Sequence, residues 1–383
     1  MTLIYWAITQ HWCLFFLVHF YIKILKKINK ILIIIQRANG DVLLSHSLIT
    51  ALFKNFNQPQ IDLLVNDDTI AIAKLLPNIN FIHTFSYKDK REKHWRQEKK
   101  IIQKIFRQYD LSINLTASDR SVVYSILAGK KSISAIEKKN QKSWWKKIFL
   151  TYYYYFDTDK HILLNNLEPL SLLNINQEVN YNFPEVSEQS KNKVRRLLEI
   201  SKINKFIIFH PSAQYDFKIY PKHLRDKLLN ELNTLEIPII ITGSKNKIDL
   251  ELKKELPKLK NLYDFIGLLT LEEYFALSQL SLSYIGMDTL NMHIAAVQNK
   301  QIFAIFGPTN LRMWSPWSND QKMAASENRP IQTYGKITIF QSSLPCVACG
   351  KAGCNDNNER SECLYTIDPV KIFKHIEKYI NNA

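Results

Sequence analysis

Two short polar loops stand out, each following an aliphatic run and opening a helix-like segment. In the later one, Leu280 to Ile285 reads as a buried strand that breaks at Gly286. Met287-Asp288-Thr289-Leu290-Asn291 follows, and the apolar residues through His293 to Val297 read as a helix. A second strand, Ile302 to Phe306, ends in Gly307-Pro308-Thr309. A carboxylate and a hydroxyl at the mouth of a helix suit an anionic or sugar ligand. The first amides of a helix lack acceptors, and the helix dipole favours negative charge there. The alternative is an ordinary N-cap made by Asp288 or Thr289. In the earlier loop, Gly40-Asp41 comes soon after Ile31 to Ile35, and Asp41 is either a cap or a site carboxylate. A third polar loop, His210-Pro211-Ser212 with Asp216, Lys218 and Pro221, follows the apolar run Phe206 to Phe209.

Chemistry of other kinds is disfavoured. There is no G-x-G-x-x-G and no G-x-x-x-x-G-K-[ST], which argues against dinucleotide redox enzymes and P-loop NTPases. H-E-x-x-H and G-x-S-x-G are absent too. The elements that would carry the loops alternate. Strands at Ile31–Ile35, Ile61–Val65 and 81–85 are separated by helices at Val42–Phe53 and Thr69–Leu76, with Pro77 ending the second helix. Residues 86–107 read as one helix with a solvated charged face. Further strands fall at Leu111–Leu115 and Ser132–Ile136. The alternation restarts with strands at Phe206–Phe209 and Pro238–Thr242 and helices at His223–Leu232, Asp249–Leu256 and Leu271–Ser278. Short aliphatic runs alternating with helices predict parallel sheets buried on both faces. The fold class is therefore α/β, with two Rossmann-like doubly wound domains facing a central cleft. Ligands bind at the carboxyl ends of such strands, so the loops at Asp41 and Asp288 can face each other.

The expected organisation is an N-terminal amphipathic helix over 1–30, a first domain over 31–180, a linker at 181–200, a second domain over 201–365 and a C-terminal helix at 366–383. With 383 residues and 46% apolar residues, two globular domains are reasonable. The net charge of +16 predicts an acidic partner: nucleic acid, an anionic membrane surface or a phosphorylated substrate. The segment 138–161, KKNQKSWWKKIFLTYYYYFDTDKH, interleaves lysines with aromatics. It could stack bases or sugars, touch lipid, or serve as a packed connection. The first 30 residues are too marked by His19 and Lys23 for a confident membrane span, and they suit a helix lying in the interface or packed on the protein's own surface. Cys346, Cys349, Cys354 and Cys363 crowd together, and zinc, free thiols and disulfides are all open.

The motifs together resemble family 9 glycosyltransferases, the bacterial lipopolysaccharide heptosyltransferases. The resemblance rests on Ile33-Ile34-Ile35, Arg37 and Gly40-Asp41-Val42-Leu43-Leu44; on His210-Pro211-Ser212 with Lys218 and Pro221; and on Gly286-Met287-Asp288-Thr289 with His293, Ala295 and Ala296. Phe306-Gly307-Pro308-Thr309, Trp314 and the tail Ser361-Glu362-Cys363-Leu364 complete it, the tail being similar to members that add the branching inner-core heptose. The family implies a GT-B architecture, with acceptor on the first domain and nucleotide sugar on the second. It also implies inverting transfer of heptose from ADP-heptose with no required metal.

By that resemblance Asp41 is the catalytic base, while Arg37 and Gly40 contact the acceptor. Ser212, Lys218, Asp288, Thr289, Leu290 and Asn291 hold the donor, with the amides of Thr289, Leu290 and Asn291 on the diphosphate. His293 is read as packing within its helix. Two departures are visible: Leu290 stands where the family has glycine, and Ser244-Lys245-Asn246-Lys247 lacks the usual acidic residue. The expected partner is a lipid-linked phosphorylated saccharide at the inner face of the cytoplasmic membrane, approached by a peripheral, monomeric bacterial cytoplasmic protein. The alternatives are a non-catalytic glycolipid- or nucleotide-binding member of the fold, motivated by Leu290, and a basic nucleic-acid-binding protein, which lacks any nucleic-acid motif.

Overall fold

The computed structural model describes residues 28–93, 95–179 and 186–382. The helix expected over 1–30 lies outside the described residues as far as residue 27. Lys30 already opens the first strand. The chain divides into two units, one of residues up to 156 together with 166–180, the other of 157–165 together with 181 onward.

The first unit carries six strands: β1 (Lys30–Ile35), β2 (Gln60–Asn66), β3 (Ile79–Phe85), β4 (Tyr109–Asn114), β5 (Gly129–Ile136) and β6 (Tyr152–Tyr155). Their order is β3-β2-β1-β4-β5-β6, and every pair is parallel. Ile31 to Ile35 are all buried, as expected of a central strand covered by helices on both faces. The order reverses between β1 and β4, so helices leave these two strands toward opposite faces of the sheet.

The second unit repeats the plan with β7 (Ile207–His210), β8 (Ile239–Ile241), β9 (Leu262–Asp264), β10 (Ser283–Met287), β11 (Gln301–Ile305), β12 (Ile331–Tyr334) and β13 (Ile337–Phe340). The order is β12-β13-β11-β10-β7-β8-β9, parallel except for the edge pair β12–β13. Here the reversal lies between β7 and β10. The helix Glu188–Ile200 belongs to this unit, where Lys193 pairs with Glu273 at 2.8 Å. The last helix, Pro369–Ile380, packs beside Lys222–Asn233, and the Tyr379 hydroxyl donates to the Leu282 carbonyl at 3.2 Å.

Several elements differ from the sequence reading. The helix expected over Val42–Phe53 is two, Asn39–Leu43 and His46–Asn55. At the break the Ser45 hydroxyl donates to the Val42 carbonyl at 2.7 Å, and His46 Nδ1 lies 3.0 Å from the Leu43 carbonyl. Side chains thus satisfy carbonyls that a continuous helix would pair by itself. The charged stretch 86–107 is also two helices, Tyr87–Lys93 and Arg96–Ile105, parted near the exposed Trp95. The helix at Leu271 starts on a Thr270–Glu273 capping box and runs through Leu280, so the following strand begins at Ser283. The tyrosine run in 138–161 forms β6, paired with β5.

Gly286 pairs with His210 across β10 and β7, and a Cβ there would lie 2.3 Å from the His210 carbonyl oxygen and 2.9 Å from the Tyr284 hydroxyl. The His210 backbone carbonyl cannot retreat without opening the central strand pair. Gly286→Ala is expected to destabilise the protein by about 3 kcal/mol. Thermal unfolding should show it as a fall in Tm of roughly 6–12 °C. An unchanged Tm would contradict the close approach.

Candidate active site

In the second unit the reversal between β7 and β10 sets two loops side by side at their carboxyl ends. β7 delivers His210 and, two residues on, the buried Ser212. β10 delivers Asp288 and Thr289, and the helix Leu290–Val297 follows. Lys218 reaches this place from the turn Asp216–Lys218, and its Nζ lies 3.2 Å from Asp288 Oδ2. That turn is held from behind, because the Ser361 hydroxyl donates to the Phe217 carbonyl at 2.7 Å.

Thr289 occupies the N-cap position in extended conformation, yet its side chain accepts no amide of the helix. Its hydroxyl instead lies 3.3 Å from that of Tyr284, which donates to the Met287 carbonyl at 2.9 Å. The start of this helix therefore has no side-chain cap and presents its dipole to an anion. Leu290 is the first helical residue and has no left-handed backbone, so leucine in place of glycine costs no backbone strain. The Asn291 side chain is engaged, with Nδ2 at 3.0 Å from His210 Nδ1, which also lies 3.1 Å from the Thr242 hydroxyl. An amide nitrogen only donates, so His210 Nδ1 accepts. Burial pushes His210 down to about 4, which keeps the imidazole neutral at physiological pH. His293 is buried in the same helix and likewise pushed down to about 4 by burial, although Asp288 opposes the shift.

The loop after β8 lacks an acidic residue at 244–247, but Asp249 is buried just beyond it, in the helix Lys247–Lys254. Its Oδ2 accepts from the Ser244 amide at 2.5 Å and from Asn246 Nδ2 at 3.1 Å, which shapes the loop.

In the first unit Asp41 is the third residue of the helix Asn39–Leu43, at the carboxyl end of β1 and almost wholly buried. Burial pushes its carboxyl up to about 6, against the opposing charge of Arg37 and a hydrogen bond from the Ala38 backbone. The N-cap of that helix is Ala38, without a side-chain cap, and Asp41 sits inside the first turn. Arg37 Nε sits 2.6 Å from Asp41 Oδ1, and the guanidinium lies 4.7 Å from the centre of the Phe156 ring. Gly40 immediately precedes the carboxylate at the second helical position. Arg120 flanks the same strand ends, its Nε donating to Gln36 Oε1 at 3.4 Å.

Cys346, Cys349 and Cys354 are exposed thiols and Cys363 is a buried one, so no disulfide joins them. Burial, then the neighbouring Cys354 and Cys349, push Cys363 up to about 11. Among the described residues no group of three or more His, Cys, Asp or Glu side chains is arranged to hold a metal ion, which leaves the zinc reading without support.

Phe156, Thr242 and Tyr284 were not singled out from the sequence. Phe156 and Thr242 directly follow the carboxyl ends of β6 and β8, and that placement is the signal that could have found them.

Two Rossmann-like units, each with polar side chains gathered where its strand order reverses, share the fold of GT-B glycosyltransferases. The profile of glycosyltransferase family 9 (heptosyltransferase) matches residues 98–342. Lipopolysaccharide heptosyltransferase 3 of Escherichia coli is 27% identical over 295 residues, covering 74% of this chain and 85% of that protein. A family 9 glycosyltransferase from Veillonella parvula superposes with a TM-score of 0.72 at 16% identity, over 93% of this chain and 98% of that one. An E. coli heptosyltransferase bound to ADP-2-deoxy-2-fluoro heptose superposes with a TM-score of 0.65 at 14% identity, over 91% and 99%. The chain belongs to glycosyltransferase family 9, the heptosyltransferases.

The Asp41 environment has a consequence for stability. The folded carboxyl holds its proton up to about 6, against an ordinary value of 3.8. Between those values the folded state binds more protons than the unfolded state, so stability falls as pH rises through that window. Above it the ionised group costs the fold about 3 kcal/mol. Asp41→Asn is expected to raise Tm at pH 8, with the gain shrinking at pH 5 and gone below about pH 4. Thermal unfolding across pH measures this, and a variant no more stable at pH 8 would contradict the burial argument.

Proposed function

We propose that this chain transfers a heptose from ADP-heptose to the inner core of a lipopolysaccharide or lipooligosaccharide, with inversion at the anomeric carbon. The observation that carries the proposal is Asp41. A carboxyl pushed up to about 6 at the carboxyl end of the central strand is matched to taking a proton near neutral pH. Asp41 accepts the proton of the acceptor hydroxyl as that oxygen attacks the anomeric carbon. The bond from that carbon to the diphosphate breaks, and ADP leaves with the electron pair. Arg37 holds an acceptor phosphate beside the base, and Gly40 lets the acceptor approach the backbone closely.

Charge develops on the leaving diphosphate. Lys218, the Ser212 hydroxyl and the amides of Thr289, Leu290 and Asn291 receive it, an arrangement that needs no metal. Asp288 orients hydroxyls of the donor sugar and, 3.2 Å from the ammonium, sets the position of Lys218. In this reading the chain works as a monomer in the bacterial cytoplasm, peripheral to the inner face of the membrane that carries its acceptor. Among the described residues no helix is long and apolar enough to cross a membrane.

Incubation of the full chain with ADP-heptose and truncated core lipopolysaccharide should add one heptose to the acceptor, read by mass spectrometry. Asp41→Asn should abolish the gain, and Lys218→Ala should lower kcat by about 10²–10³. For the wild-type protein kcat/KM should rise about tenfold per pH unit below about 6 and level off above it. Binding of ADP-heptose without transfer to any core acceptor would point instead to a non-catalytic member of the fold.

A further inference from the structure

The first unit carries an exposed surface that the transfer chemistry does not use. The short helix Trp144–Phe149 is anchored on its inner side by two residues. Trp145 packs against Val122, Ile136 and Leu150. Lys146 is buried, 2.7 Å from an Asp119 carboxylate oxygen, and donates to the Ala117 carbonyl at 2.8 Å. That anchoring turns Trp144, Ile148 and Phe149 outward, where they are 64%, 64% and 62% exposed. Beside them Tyr153 and Tyr155 project from the edge strand β6, with Lys147 Nζ 5.5 Å from the Tyr155 ring centre. Lys138, Lys139 and Lys142 are exposed as well. A groove of about 410 Å³ is lined by Lys138, Lys139, Asn140, Trp144 and Lys147, and by Glu137, whose carboxylate accepts from Asn140 at 2.6 Å.

We propose that this lysine and aromatic lip seats the enzyme on an anionic lipid bilayer, with headgroup phosphates in the groove and the apolar side chains in the membrane interface. The clustered lysines complement anionic headgroups. Trp144, Tyr153 and Tyr155 suit the headgroup level, where amphipathic rings concentrate. Ile148 and Phe149 favour a bilayer over a nucleic acid, because an aliphatic side chain needs an apolar phase to leave water. Water-soluble surfaces seldom cluster large apolar side chains without a partner.

The location fits the acceptor. The groove begins at Ile136, where β5 ends. Phe156 donates its amide to the Ile136 carbonyl at 2.9 Å, and its ring carries Arg37 at 4.7 Å. The start of the groove and the Asp41 carboxylate therefore both lie at the carboxyl ends of the strands of one sheet. This orientation rests on the membrane-borne acceptor of the preceding section, whereas the lipid contact can be measured without it.

The test is co-sedimentation of the full chain with phosphatidylcholine vesicles, with and without phosphatidylglycerol. Wild-type protein should bind the anionic vesicles and leave the neutral ones. Each lysine near an anionic surface is worth about fivefold in partitioning, so replacing Lys138, Lys139 and Lys147 together by alanine should weaken binding roughly a hundredfold. Trp144→Ala combined with Ile148→Ala should weaken it at least about tenfold. Both variants should keep their Tm and their transfer rate on a detergent-dispersed acceptor. Unchanged binding by both variants overturns the proposal, since residues 1–27 or another surface would then carry the contact. Equal binding to neutral vesicles overturns it, as does displacement of anionic vesicles by unrelated DNA. Absence of transfer by wild-type protein would reject the proposed function and leave the vesicle result readable.

Discussion

Each unit of this protein reverses the direction of its winding between two adjacent inner strands, and its candidate site residues gather at that place. Crossovers between parallel strands are right-handed, so strands added on either side of the starting strand send their helices to opposite faces. At the reversal two adjacent loops diverge and leave a crevice outside the carboxyl ends of the strands. In the first unit the pair is β1 and β4, and Arg37 and Asp41 follow β1. In the second it is β7 and β10, and His210, Ser212, Asp288 and Thr289 follow them. The close backbone approach at Gly286 keeps the second crevice in register, since β10 can lie against the His210 carbonyl only without a Cβ.

The crevices differ in how they treat charge. Asp41 is a carboxylate taken almost entirely out of water with one cation beside it, and desolvation outweighs that cation. Such a group is costly to the fold when ionised, and the same cost brings its proton affinity toward neutrality. The second crevice is the one the proposed function assigns to the charge of the leaving diphosphate. It combines a lysine paired to Asp288, a helix start without a side-chain cap and two buried histidines kept neutral. A neutral His210 accepts the Asn291 amide hydrogen, and so fixes that side chain beside the helix start. One unit stores the cost of a buried carboxylate and the other offers preorganised donors. The proposed inverting transfer between an acceptor hydroxyl and a nucleotide sugar uses that division of labour.

The basic character of the chain is also organised. Part of it sits on a lip whose apolar side chains face water because Trp145 and the buried Lys146 occupy the inner side of their helix. Position in the fold, more than the number of lysines, makes this segment a surface with an orientation.

The sequence by itself determined the elements that satisfy themselves locally. Five consecutive aliphatic residues at Ile31–Ile35 fit a strand buried on both faces, and the alternation of such runs with helices pointed to an α/β protein of two Rossmann-like halves. The polar loops after those runs were legible for the same reason, because a strand of this kind must end where its residues turn polar. Tertiary structure decided what depends on partners distant in the chain. The break after Leu43 and the pairing of β12 with β13 were not legible, since side-chain bonds and an edge register outweigh local pattern there. Lys218 and Asp288 are separated by 70 positions, and His210 and Asn291 by 81. Asp41 could be named from its motif, but its proton affinity could not. That property comes chiefly from burial, which the fold builds around one carboxylate and which outweighs Arg37 and the Ala38 backbone beside it.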